Sequence, residues 1–103
     1  MYQTRYIYEH PEGINEIPAF HPEEVDYLSE STWYVDIHCA YRSVEATEFG
    51  YMYKTTWYSK EDRDKVYGLF PRALEILDFK GQRTVEAGGS FRVETEEITD
   101  EFK

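Results

Sequence analysis

Two aromatic-rich runs, Thr32 to Arg42 and Glu48 to Ser59, flank the short polar stretch Ser43-Val44-Glu45-Ala46-Thr47, and this arrangement limits the available folds more than any other feature of the chain. β-Branched and aromatic residues dominate each run and suit a pleated, half-buried strand. The connection is too short for a crossover helix, so an antiparallel hairpin is expected. A register in which facing residue numbers sum to 90 puts Trp33 against Trp57, Ile37 against Tyr53, Cys39 against Tyr51 and Tyr41 against Phe49 on a core face. The same register sets Asp36 against Lys54 and Arg42 against Glu48 on the other face. Such opposite-charge pairs contribute ~0.2–1 kcal/mol each, and a slip of one residue would turn the whole apolar set outward.

The chain has 103 residues, enough for one core and too few for two. Aromatics make up 17% and hydrophobic residues 41%, against 31% charged, which is the profile of a folded domain with an aromatic interior. One domain is therefore expected over 1–103, with a frayed acidic end from about 97. The single cysteine, Cys39, excludes an internal disulfide and is expected as a small core residue in a reducing compartment. The first residues carry no apolar leader and no apolar run approaches ~18 residues, so a cytoplasmic protein without a membrane span is expected.

Taken in order, Tyr2 to Tyr8 alternates as a first strand, and Pro11, Gly13, Asn15 and Pro18 mark a loop. From His21 a proline followed by acids predicts a short helix of two turns. Ser59 with Asp62 resembles a capping box at the start of the main helix. Along it Val66, Leu69, Phe70, Ala73, Leu74 and Leu77 form one stripe. Pro71 predicts a kink or break near Gly68, with the in-phase stripe favouring a kinked helix, and Gly81 is placed as its C-terminal cap. Arg83–Glu86 and Ser90–Glu96 are then expected as a second hairpin about Ala87–Gly89, with Val85 opposite Phe91. The sum is an α+β fold: an antiparallel sheet of four to five strands with one main kinked helix and one short helix, in the order of a ferredoxin-like sandwich.

No catalytic, cofactor or metal motif emerges. Glu9, His10, His21, Glu23, Glu24, His38 and Cys39 have no recognised ligand spacing, and Gly88-Gly89 lacks the lysine and helix start of a phosphate loop. Phe49-Gly50-Tyr51-Met52 resembles the centre of the third-strand signature of the RNA-recognition motif. Thr47, Glu48 and Lys54 depart from it at the edges, so Phe49 and Tyr51 are expected to pack beneath the helix.

What remains is charge. The formal net charge is −10, from 21 acids and 11 bases. Residues 1–31 hold seven acids against Arg5 alone, and Glu94, Glu96 and Glu97 follow near the end. This excess opposes direct contact with nucleic acid or an anionic membrane and favours a basic partner. Alternate residues on a strand lie ~7 Å apart, close to the spacing of phosphates along DNA. In size and composition the chain resembles the small acidic inhibitors that phages make against host defence nucleases. It is thus expected to be a non-enzymatic, DNA-mimic-like module that occupies the basic nucleic-acid-binding surface of a partner protein. No cofactor is expected. Its contact residues would be Glu23, Glu24, Asp26, Tyr27, Glu30, Tyr34, Tyr58, Glu94, Glu96 and Glu97. The alternatives are a non-catalytic subunit or homodimer joined through a sheet edge, and a small enzyme with an unrecognised cleft.

Overall fold

A computed structural model of the chain describes residues 1–14 and 33–98. Four strands, β1 (Tyr2–Glu9), β2 (Cys39–Thr47), β3 (Gly50–Trp57) and β4 (Ser90–Glu97), form one antiparallel sheet in the order β2-β3-β1-β4. Three helical segments accompany them: α1 over 33–38, α2 (Lys60–Leu69) and α3 (Pro71–Glu86). This is a small α+β fold. The short helix expected from His21, and with it the crossover that a ferredoxin-like sandwich needs between its first two strands, lies outside the described residues.

The alternation in β1 sorts its side chains as the sequence requires. Tyr6 and Tyr8 turn to the helices and stack with Phe91 (centroids 6.3 and 5.1 Å apart), and Tyr8 stacks on Tyr51 at 4.9 Å. The Tyr8 hydroxyl donates to the Leu77 carbonyl at 3.0 Å, tying β1 to α3. Leu74, Leu77 and Tyr53 complete this cluster. A second cluster gathers Val35, Cys39, Trp57 and Val66, with Tyr2, Tyr34 and Tyr67 packed around it. Cys39 is buried as expected, and desolvation pushes its thiol up.

The hairpin exists, but in another register and with a shorter first strand. Facing numbers sum to 97, from Tyr41↔Thr56 to Thr47↔Gly50, and the turn is Glu48-Phe49; Ser43–Thr47, expected as the connection, is strand. Residues 33–38 are helical. Helical spacing brings the Tyr34 and His38 rings together, tilted with centroids 4.7 Å apart, and puts Val35 and Cys39, four apart, into the Trp57 cluster. Trp33 and Ile37 consequently stand 64% and 60% exposed, while Trp57 is buried, so the expected shared core face does not form. Arg42 pairs with Asp36 at 3.0 Å and Lys54 with Glu45 at 3.1 Å. Both basic residues thus find acids in this arrangement as well, which is why charge pairing could not decide the register.

The main helix is broken, with Pro71 as the first residue of α3. Phe70 (φ −123, ψ 66) joins the two helices, its N–H still donating to the Val66 carbonyl at 2.8 Å. Proline is pre-set for a helix start and lacks only an amide that a first turn leaves unbonded. Leu69, at the end of α2, is exposed, and Ile76 takes a buried place that the predicted stripe omitted. Gly68 has open space where a side chain would stand. Gly68→Ala is therefore expected to raise stability by about 0.5–1 kcal/mol in a urea melt, because alanine loses less entropy on entering a helix.

Gly81 does not end α3. It is buried where a Cβ would collide with the Phe91 ring, so its role is to let β4 approach the helix. The helix runs on through Arg83–Glu86, the segment expected as a strand, and stops at Gly88. That residue adopts φ +96; its N–H reaches the Val85 carbonyl and that of Gly89 the Thr84 carbonyl, both at 2.9 Å. Left-handed glycine with such back-bonding terminates helices. The partner of β4 is β1, in straight register from Tyr2↔Glu97 to Glu9↔Ser90. The end of β4 is pinned, with the Met1 ammonium donating to the Ile98 carbonyl at 2.9 Å and the Ile98 N–H returning to the Met1 carbonyl.

Candidate protein-interaction surface

The sheet face away from the helices carries a bonded network. Arg5 spans two acids of β4, with Nε 3.3 Å from Glu94 Oε1 and Nη1 3.1 Å from Glu96 Oε2. Arg92 joins Glu9 (Nη1–Oε1, 3.0 Å) to Glu94 (Nε–Oε2, 3.1 Å), and these acids hold its guanidinium above its usual range. The Thr47 hydroxyl donates to Glu9 at 3.0 Å, and Lys54 lies 5.8 Å from the Tyr41 ring centroid. Glu94 and Glu96, expected to act as free acids, are thus matched by cations on the same face. Glu97 is exposed on the helix side and makes no ion pair among the described residues.

Tyr34 is a packing residue, set edge-on to Trp33 at 5.6 Å and to Phe70 at 5.4 Å. Tyr58 is exposed at the end of β3, its N–H donating to the His38 carbonyl at 3.2 Å. Glu23, Glu24, Asp26, Tyr27 and Glu30 lie outside the described residues. The pair that sequence reasoning missed is Trp33 and Ile37, one helical turn apart and the two most exposed large apolar side chains among the described residues. Period-two alternation at 33, 35 and 37 had assigned them to the core. The contrary signal was the Tyr34/His38 and Val35/Cys39 spacing, which suits a helix.

Tyr51 packs beneath the helices, as expected, whereas Phe49 stands exposed in the turn. An RNA-recognition surface would need these rings on the open face. Desolvation pushes the Tyr51 phenol up to about 12 and that of Tyr8 higher, so both keep their protons near neutrality. A hollow of ≈ 480 Å³ on the open face is lined by Gln3, Tyr41, Lys54 and Thr56. Within it Gln3 donates to Thr56 and Lys54 to Glu45, both at 3.2 Å.

Among the described residues a Ser/His/Asp cluster joins α1 to the start of α2. His38 Nδ1 lies 2.7 Å from Asp62 Oδ1, and the Ser59 hydroxyl donates to Asp62 Oδ2 at 2.6 Å while accepting the Asp62 N–H. Here aspartate stands between serine and histidine, so the histidine is not placed to take the serine proton, and the arrangement is the helix cap anticipated from Ser59 and Asp62. The Ser59 and then the His38 hydrogen bonds hold the Asp62 carboxyl below its usual range. A depressed folded-state pKa contributes stability above the unfolded value near ~3.9, lost as pH falls through the folded value. Asp62→Asn is therefore expected to flatten the stability curve in that acid window, measured by urea melts from neutral pH downward.

Among the described residues no group of three or more His, Cys, Asp and Glu side chains could hold a metal ion, and no helix is long and apolar enough to cross a membrane. Comparison with protein-family models, curated proteins and solved structures finds no significant match.

Proposed function

We propose that this chain works by binding another protein, without catalysis of its own, and that the partner is basic. One observation supports this best: exposed Trp33 and Ile37 directly follow residues 15–32, which hold Glu16, Glu23, Glu24, Asp26 and Glu30 and neither lysine nor arginine. A solvent-facing tryptophan beside a second large apolar residue is the usual anchor of a protein interface, since burying it on a partner removes much apolar area from water. The neighbouring acids would steer a basic surface towards it. With Glu94 and Glu96 neutralised by Arg5 and Arg92, the weight of recognition falls on this acidic stretch and on Trp33. In its finer form the proposal is that the basic surface normally binds nucleic acid and that the chain inhibits by occupying it, in the cytoplasm, as DNA-mimic anti-defence proteins do.

The test begins with capture of a partner on the immobilised chain, identification by mass spectrometry, and kinetics on the purified pair. Association should slow about tenfold or more from low to physiological ionic strength, and duplex DNA should compete. Reversing Glu23, Glu24 and Asp26 together should slow association with the melting temperature unchanged. Trp33→Ala should chiefly speed dissociation. Binding indifferent to salt and to DNA would refute the basic-surface reading, and direct binding of the chain to nucleic acid would contradict it outright.

A further inference from the structure

We propose that β4 pairs with β4 of a second copy of this chain, antiparallel about a two-fold axis at Val93, to give a dimer with a continuous eight-stranded sheet. This does not depend on the function proposed above. β4 is a terminal strand of the sheet, with β1 on one side and no strand among the described residues on the other. All eight of its residues lie in straight register on β1, without a bulge or a proline. A terminal strand of this kind is a template for another strand.

Side-chain signs choose the occupant. In a continuous sheet with the helices of both copies on one face, opposed residues share a face, so facing numbers must sum to an even value. A sum of 188 sets Glu94 against its own copy, 184 does the same with Arg92, and 190 faces Glu94 with Glu96 twice. A sum of 186 brings Val93 to Val93, Phe91 to Thr95, and Arg92 to Glu94 twice over. It is the one register among these four without like charges opposed. An odd sum would set apolar residues against charged ones, 187 facing Val93 with Glu94 and 185 facing it with Arg92. Val93, 44% exposed in one chain, would be covered by its counterpart. Arg92 uses Nη1 and Nε within the chain, leaving Nη2 for the copy's Glu94. The β2 edge offers no such match. Its ladder is interrupted between Cys39 and Tyr41, and centring it on Ser43 or Val44 opposes no acid to a base. Charges that discourage a foreign strand on β4 therefore admit a second copy.

The experiment is a mass measurement on the full chain, by sedimentation equilibrium over a range of concentrations. The wild type should reach twice its 12.3 kDa. Arg92→Glu and Glu94→Arg each oppose like charges at both pairs and should raise the dissociation constant about tenfold or more. Mixed one to one, the two variants place opposite charges at both pairs, so the mixture should dimerise at concentrations where neither variant does so alone. Both variants remain strongly acidic, so general attraction cannot produce that result, and heterodimer formation shows that both are folded. A wild type that stays monomeric at every concentration overturns the proposal. A dimer that survives Glu94→Arg, or a mixture that stays monomeric when both variants melt cooperatively, overturns it as well.

Discussion

Trp57→Ala is expected to cost about 3–5 kcal/mol, the range for truncating a fully buried large aromatic side chain, and Trp33→Ala less than about 0.5 kcal/mol. The contrast rests on position alone. Trp57 is 1% exposed; it packs with Val35, Cys39 and Val66, stands edge-on to Tyr67 at 5.6 Å, and its Nε1–H donates to Thr4 Oγ1 at 3.1 Å. Alanine would leave a large void between β3 and α2 and strip the buried Thr4 hydroxyl of its partner. Small domains are stable by about 5–15 kcal/mol in total, so Trp57→Ala should remove a large share of the stability and move the unfolding midpoint far down. Urea melts followed by circular dichroism decide it. Similar losses at the two tryptophans would mean that the core is not where Trp57 places it.

Much of this fold was legible because local patterns and tertiary contacts agree. Tyr2 to Tyr8 alternates with period two and forms a strand with that sorting; Ser59 and Asp62 cap the helix they were expected to cap. The failures share a cause, which is that a local signal had two tertiary solutions. Residues 33–38 alternate like a strand, yet helical spacing also packs Val35 and Cys39 against Trp57, and packing overrides a weak intrinsic preference. Lys54 and Arg42 find acids in either register, so charge could not discriminate. Gly81 and Gly88 look alike in sequence as helix stops. Only the closeness of the Phe91 ring explains why one sits inside α3 while the other ends it.

The candidate surface was legible in composition and illegible in placement. An acid excess is visible in any sequence, but which acids are free depends on what lies beside them across a sheet. β1 sits next to β4 only because the chain returns after α3, and that return puts Arg5 between Glu94 and Glu96. Without knowledge of the strand order, the base nearest in space was separated from these acids by almost the whole chain.

Gly50→Ala is expected to destabilise the protein by roughly 1–3 kcal/mol, as overpacking does, with Gly50→Val worse. Gly50 opens β3 directly after the Glu48-Phe49 turn and is buried opposite Glu9 of β1 on one side and Thr47 of β2 on the other. Its φ is not positive, so conformational freedom is not the reason for glycine here. The reason is distance: an added Cβ would run into the Tyr8 carbonyl oxygen and come within 3.0 Å of the Glu9 Cα. Those obstacles are backbone and cannot rotate aside. Relief requires β1 and β3, the two central strands, to part at the end where Tyr8 stacks on Tyr51 and the His10 N–H donates to the Phe49 carbonyl at 3.0 Å. Gly88→Ala is the control, because that site has room, its nearest neighbour being His10 Nε2 at 3.6 Å, and would be strained only by its φ of +96. Hydrogen exchange separates the two. Gly50→Ala should speed exchange along the β1–β3 ladder, whereas Gly88→Ala should loosen the end of α3 alone, and unchanged β1–β3 protection after Gly50→Ala would show that the close approach of these strands is not what requires glycine.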